Sequence, residues 1–269
     1  MAFPSGGSNE DPGLASGAGA QGTADAAAEE TDFATRYANL LGELARRLEA
    51  ELGATGVAFT SPLPSHEPVV RIEIEGDVPS AGTEAGDASA LQTAATHGTR
   101  HVQVEPGFFD ALEIMQLEGR RLGLVDAVSG ASAVLVNRSF VDRVLSGRSA
   151  TGRRIRYVGG YRSGGVERFP AGAEAESWYE IVGVVDDFPP RPTAPGGTEA
   201  RVYHAVAPGH LFPAGLVVRM PTDVPAGAIQ RTRDIAASVD PALRFTRLAT
   251  LDAPASAPAM NGMLVGTQK

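Results

Sequence analysis

The sequence predicts an α+β fold, and three observations carry that prediction. Short apolar stretches with the two-residue alternation of strands recur from residue 57 to residue 248. Segments near each end repeat apolar residues at helical spacing. The two kinds follow one another without the strict strand–helix–strand rhythm of a parallel α/β sheet.

The first element is a helix. Phe33, Tyr37, Leu40, Leu41, Leu44, Leu48 and Leu52 form one apolar stripe, Thr31 or Asp32 suits the N-cap, and Gly53 suits the position just past the C-terminus. Val57 to Thr60 reads as a short strand, and Val69 to Glu75 as a half-buried one. A polar loop over 77–98 leads to a strand over Arg100 to Val104. Pro106 opens a short helix that runs to Leu112. Ala133 to Val136 is an apolar strand, Asn137 caps a helix carrying Phe140, Val141, Val144 and Leu145, and Gly147 ends it. Arg153 to Val158 and Trp178 to Val185 are strands joined through a Gly-rich loop, Gly159 to Gly172. Strands over Val202 to Val206 and Leu216 to Met220 follow, then an amphipathic helix from Pro225 to Val239 and a last strand over Phe245 to Leu248. Residues 1–30 and 252–269 are rich in Gly, Ala, Ser and Pro and poor in large apolar side chains, so they read as a disordered leader and tail.

The chain has 269 residues, 43% of them hydrophobic, which suffices for one large domain or two small ones. Its net charge of −9 argues against nucleic acid as a partner, because phosphate binding needs clustered positive charge. With no cysteine, disulfides, thiolate metal sites and cysteine nucleophiles are excluded. No apolar run reaches the length that spans a bilayer. The N-terminal MAFPSGGSNEDPG lacks the basic and apolar regions of a signal peptide.

Several motifs in order resemble the periplasmic core domain of MacB-like, FtsX-like ABC transporter permeases. A helix over Tyr37 to Gly53 leads into the strand Val57 to Thr60 and a Ser61-Pro62-Leu63-Pro64 turn. Val104-Glu105-Pro106-Gly107-Phe108-Phe109 is similar to a V-S-P-G-Y-F strand end, and Ile114 to Arg120 to a G-I-x-L-x-x-G-R segment. Ala133 to Asn137 matches a V-A-I-V-N strand and cap, and Ala150 to Ile155 a P-I-G-R-R-I turn. Ile181 to Asp187 matches V-V-G-V-V-G-D, Val202 to Ala205 matches V-Y-x-P, and Leu216 to Arg219 matches L-V-V-R. The departures are Glu105 for a small residue, Ala205 for Pro, and Ser146-Gly147-Arg148 in place of an acidic Trp-Pro-Gly loop.

The resemblance implies a two-lobed domain: a discontinuous porter-like α/β lobe over 31–112 and 213–251, and an inserted, mostly-β lobe over 113–212. It implies a non-catalytic extracytoplasmic domain at the cell membrane, facing the periplasm or cell exterior. Flanking transmembrane helices of the parent permease, a cytoplasmic ABC ATPase acting indirectly and a periplasmic partner protein are the implied partners. No cofactor and no metal are expected.

The residues alone leave other readings open. Asp186-Asp187 lies just past an apolar strand, where paired carboxylates can do acid–base work or hold a cation, though Asp there is also an ordinary turn residue. With a histidine the pair would suit a metal-assisted hydrolase. A free-standing periplasmic ligand-binding module is the other alternative. Gly159 and Gly160 open the long loop that best suits partner contact, although a solvated hairpin tip is the more ordinary reading of it. Gly147 to Arg154 has the glycine spacing of a phosphate-binding loop but lacks its Lys and its Ser or Thr, and it runs from helix to strand. His97 and His101 are four apart, but Gly98 and the strand pattern around them argue against a zinc helix.

Overall fold

The computed structural model describes residues 17–62, 66–77, 96–128, 130–163, 166–169, 177–188, 199–221, 225–251 and 261–268. Thirteen strands occur among them: β1 (Gly56–Ser61), β2 (Val69–Ile74), β3 (Thr96–Val104), β4 (Gln116–Gly119), β5 (Ala133–Asn137), β6 (Arg154–Gly159), β7 (Tyr161–Ser163), β8 (Val166–Arg168), β9 (Trp178–Val185), β10 (Arg201–Ala205), β11 (Gly215–Met220), β12 (Arg244–Leu251) and β13 (Asn261–Gln268). The α-helices are α1 (Gly17–Arg47), α2 (Phe108–Ala111), α3 (Arg138–Arg143) and α4 (Ala228–Val239). The fold is thus a mixture of helices with a many-stranded sheet, as the sequence predicts.

Six strands close on themselves. The order β10-β5-β9-β6-β2-β3 is completed by a parallel ladder between β3 and β10, with Arg100 opposite Arg201 and Val104 opposite Ala205. Alternation along each strand sends one set of side chains inward. Val70, Ile72, Val134, Val136, Ile155, Tyr157, Ile181 and Val202 fill that interior, and Phe140, Val144 and Leu145, from α3 and the turn after it, join the same cluster. The end of β3 also pairs with β1, so the sheet continues outside the ring as β1-β11-β13-β12. The stripe of α1 through Tyr37, Leu41 and Leu44, continued by Leu48 in the π-helical turn after it, covers one face of this extension together with Ile235 and Ala236 of α4. A further cluster packs Ala58 of β1 and Val217 of β11 with Val102, Val104, Leu135 and Tyr203 of the ring and Phe108 and Phe109 of α2. The expected lobe boundary at 112/113 falls between α2 and β4. Strands β2 and β3, on its N-terminal side, bond to β6 and β10 on its C-terminal side.

Two features, in the first helix and in the tail, differ from the sequence expectation. The first helix begins at Gly17 rather than at Thr31 or Asp32, so residues 17–30 of the expected disordered leader continue it. Ala18, Ala20, Ala24 and Ala26 to Ala28 lose little entropy in a helix, and that propensity favours the extension. The expected disordered tail contributes β13, whose Met263-Leu264-Val265 segment lies between β11 and β12. The Gly159–Gly172 loop contains a short hairpin, β7 with β8. Residues 1–16 of the leader, 164–165 and 170–172 of that loop, and 252–260 and 269 of the tail lie outside the described residues. None of the described helices is long and apolar enough to cross a membrane.

Candidate functional site

Asp187 is held by the fold. Its carboxylate accepts from the Ser139 backbone N–H at 3.0 Å, the Ser139 hydroxyl at 2.7 Å and Asn137 Nδ2 at 2.5 Å. Asn137 is fully buried and uses its amide completely: Oδ1 accepts from the backbone N–H groups of Phe140 and Arg201, and Nδ2 also donates to the Glu199 carbonyl. The two residues cap α3 and tie it to β9 and β10. Asp186 faces outward. Its Oδ1 accepts from the Asp187 N–H at 2.8 Å and lies 3.6 Å from Arg138.

Gly159 ends β6, opposite Arg71 of β2, and Gly160 links β6 to β7. A Cβ on Gly160 would fall 2.2 Å from the Arg168 carbonyl oxygen, so the glycine there answers to a close backbone approach. His97 lies 3.8 Å from Asp77, while His101, on the same strand, is buried. No group of three potential metal ligands occurs among the described residues.

The ring contains a polar cluster that sequence reasoning missed. His101 of β3 stacks on His204 of β10 with ring centroids 4.7 Å apart, and Tyr157 Oη lies 2.7 Å from His204 Nε2. Tyr179 of β9 meets the His204 ring edge-on at 4.9 Å. Burial holds His204 down to about 3, and it holds His101 well below the usual histidine range, with the neighbouring His204 adding to the effect. Both rings are therefore neutral near pH 7. Burial, and then Tyr179, push the Tyr157 hydroxyl up, so it keeps its proton. Among the described residues Tyr157 Oη meets no other hydrogen-bonding partner than His204 Nε2. It thus donates to that nitrogen and leaves the His204 proton on Nδ1. The four side chains come from four strands, so no local motif announces them. The available signal was a histidine inside each of two otherwise strand-like runs, Arg100-His101-Val102 and Tyr203-His204-Ala205.

A second buried cluster spans the seam that closes the ring. Arg201, 1% exposed, pairs with Glu67 at 3.1 Å and Glu199 at 3.1 Å, and Glu67 also lies 3.5 Å from Arg100. Glu67 thereby bridges two arginines that sit opposite each other in the β3–β10 ladder. Outside the ring, Glu105 accepts from the Phe59 N–H at 2.9 Å, and burial pushes its carboxyl up to about 7 against that hydrogen bond.

No family model matches the chain, and no curated protein matches it. Several solved structures are similar. The periplasmic region of MacB from Actinobacillus actinomycetemcomitans aligns at a TM-score of 0.41 and 11% identity, covering 73% of this chain and 72% of that one. A domain of a protein described as a permease from Porphyromonas gingivalis gives 0.42 and 16%, with 72% and 68% covered. The extracellular domain of the noncanonic ABC-type transporter YknZ from Gram-positive bacteria gives 0.38 and 14%, with 73% and 80% covered. The similar structures named are thus periplasmic or extracellular domains of ABC-type transporters, or a permease domain.

Proposed function

We propose that the chain is an extracytoplasmic domain of an ABC-type transporter permease. It is non-catalytic and relays ATP-driven motion from flanking transmembrane helices, driven indirectly by a cytoplasmic ATPase, to a periplasmic partner. The observation that carries this reading is the placement of the ordered motifs. The Tyr37 helix segment lies on α1, and Val104 to Phe109 runs from the end of β3 into α2. Ala133 to Asn137 is β5 with the cap of α3, Ile181 to Asp187 is β9 with its exit, and Leu216 to Arg219 lies on β11. Each segment occupies the kind of element that the permease pattern requires at that point.

In this reading residues 31–112 and 213–251 make the porter-like lobe and residues 113–212 the inserted lobe. The shared cluster around Val104, Tyr203 and Val217 supports a relay, because packed cores transmit displacement as rigid bodies. The test is a blot with an antibody raised against this chain. The reading expects a membrane-fraction band far above 27.8 kDa in the cells that make the protein. A soluble band near 27.8 kDa would overturn it.

A further inference from the structure

At one mouth of the ring lies a cavity of about 970 Å³, large enough for a drug-sized molecule. His204, Tyr179 and Gln103 of the ring strands line it together with Trp178. Mostly small residues of the 127–128, 130–133 and 205–207 segments and Ser177 line it as well, with Glu30 of α1, Asp126 and His210. The electrostatics are one-sided. Among the described lining residues none is Arg or Lys. The Asp126 carboxylate is already bound by Arg120 at 2.7 and 2.8 Å and by the Gly123 N–H at 2.8 Å, whereas Glu30 is exposed. The guanidinium groups of Arg154 and Arg156 lie over the Trp178 ring at 5.8 and 5.0 Å, but they are engaged by Glu75 and Glu73, so neither offers an anion a free counter-ion. His204, with Nε2 engaged by Tyr157, has Nδ1–H as the donor it can offer a ligand.

We infer that this cavity binds a neutral or cationic amphiphilic small molecule. A planar apolar part packs on Trp178 and the small-residue wall, and a carbonyl-like acceptor meets His204. This reading concerns the ring mouth alone and stands whether or not the chain belongs to a permease.

The chain reports on its own binding, because Trp178 is its single tryptophan. The full chain is titrated with Nile red, a planar neutral dye with a carbonyl acceptor, and separately with anilinonaphthalene sulfonate, an anionic dye of comparable size. Expected is a saturable, one-to-one quenching of Trp178 by Nile red, with the anionic dye much weaker. Ala131→Phe fills the cavity from its half-buried wall. It should weaken Nile red by about tenfold or more with an unchanged circular dichroism spectrum. Ser132→Tyr, at an exposed position of the same wall, should do the same if the first variant does not fold. Absence of saturable quenching, preference for the anionic dye, or affinity unmoved in a folded blocking variant would each overturn the inference.

Discussion

Glu67 touches Arg100 and Arg201 at once, from a side chain only 2% exposed. Removing it would leave two guanidinium groups facing each other in a buried ladder, with Glu199 still paired to Arg201. Truncating one member of a buried pair costs about 3–5 kcal/mol. Glu67→Ala should therefore lower the urea midpoint sharply, while Asp32→Ala, which breaks an exposed pair with Arg36, should leave it within about 0.5 kcal/mol.

Titration gives a second prediction at this scale. The raised carboxyl of Glu105 binds its proton more tightly in the folded state, so its contribution is complete below about 4.5 and is lost as pH rises toward about 7. The depressed histidines act oppositely: His101 and His204 contribute above about 6.5, and that contribution is lost as pH falls toward about 3 for His204. Two histidines outweigh one glutamate between 4.5 and 6.5, which puts the stability maximum near pH 6.5. Glu105→Gln should remove the decline from pH 6.5 to 7, as urea unfolding across that range will show.

Among the elements, α3 is the one whose anchorage was half legible. Asn137 as its cap follows from an Asn between an apolar strand and a helical stripe, and the structure uses it so. Asp187 was visible only as one of two carboxylates after a strand. Its tie to Ser139 joins residues about fifty apart, which no local pattern encodes. The pair separates by test. Asp187→Ala should cost about 1–2 kcal/mol by uncapping α3, and Asp186→Ala, half-exposed with a 3.6 Å contact, should cost far less. Activity lost on Asp186→Ala would instead favour the hydrolase reading. Strand β13 was missed because its glycines and the Pro-rich run before it mask a short apolar core, Met263 to Val265. Deleting 252–269 should expose the edges of β11 and β12. It should lower the melting temperature by several degrees in a thermal scan and increase aggregation.

For the whole molecule, periodicity predicted most of the strands and the core-facing half of α1, since alternation and helical spacing are local. Closure of the ring was not legible. The β3–β10 ladder is parallel, and the strands flanking it in the ring come from residues 69–74 and 133–137. Strand β3 pairs with β1 at its end and with β2 and β10 along its length, a branching that no local pattern encodes. For the same reason the His101, Tyr157, Tyr179 and His204 cluster emerged only in three dimensions, once four strands had been brought around one interior.

The seam also sets a timetable for biosynthesis. Thr99 bonds to the Ala200 carbonyl, 101 residues further along the chain. At ribosomal speeds of about 5–20 residues per second, the outer edge of β3 must wait roughly 5–20 seconds for the strand that covers it. During that interval the newborn chain presents an open backbone edge to whatever surrounds it, and a polar Arg100 beside that edge is the kind of residue that discourages the wrong neighbour.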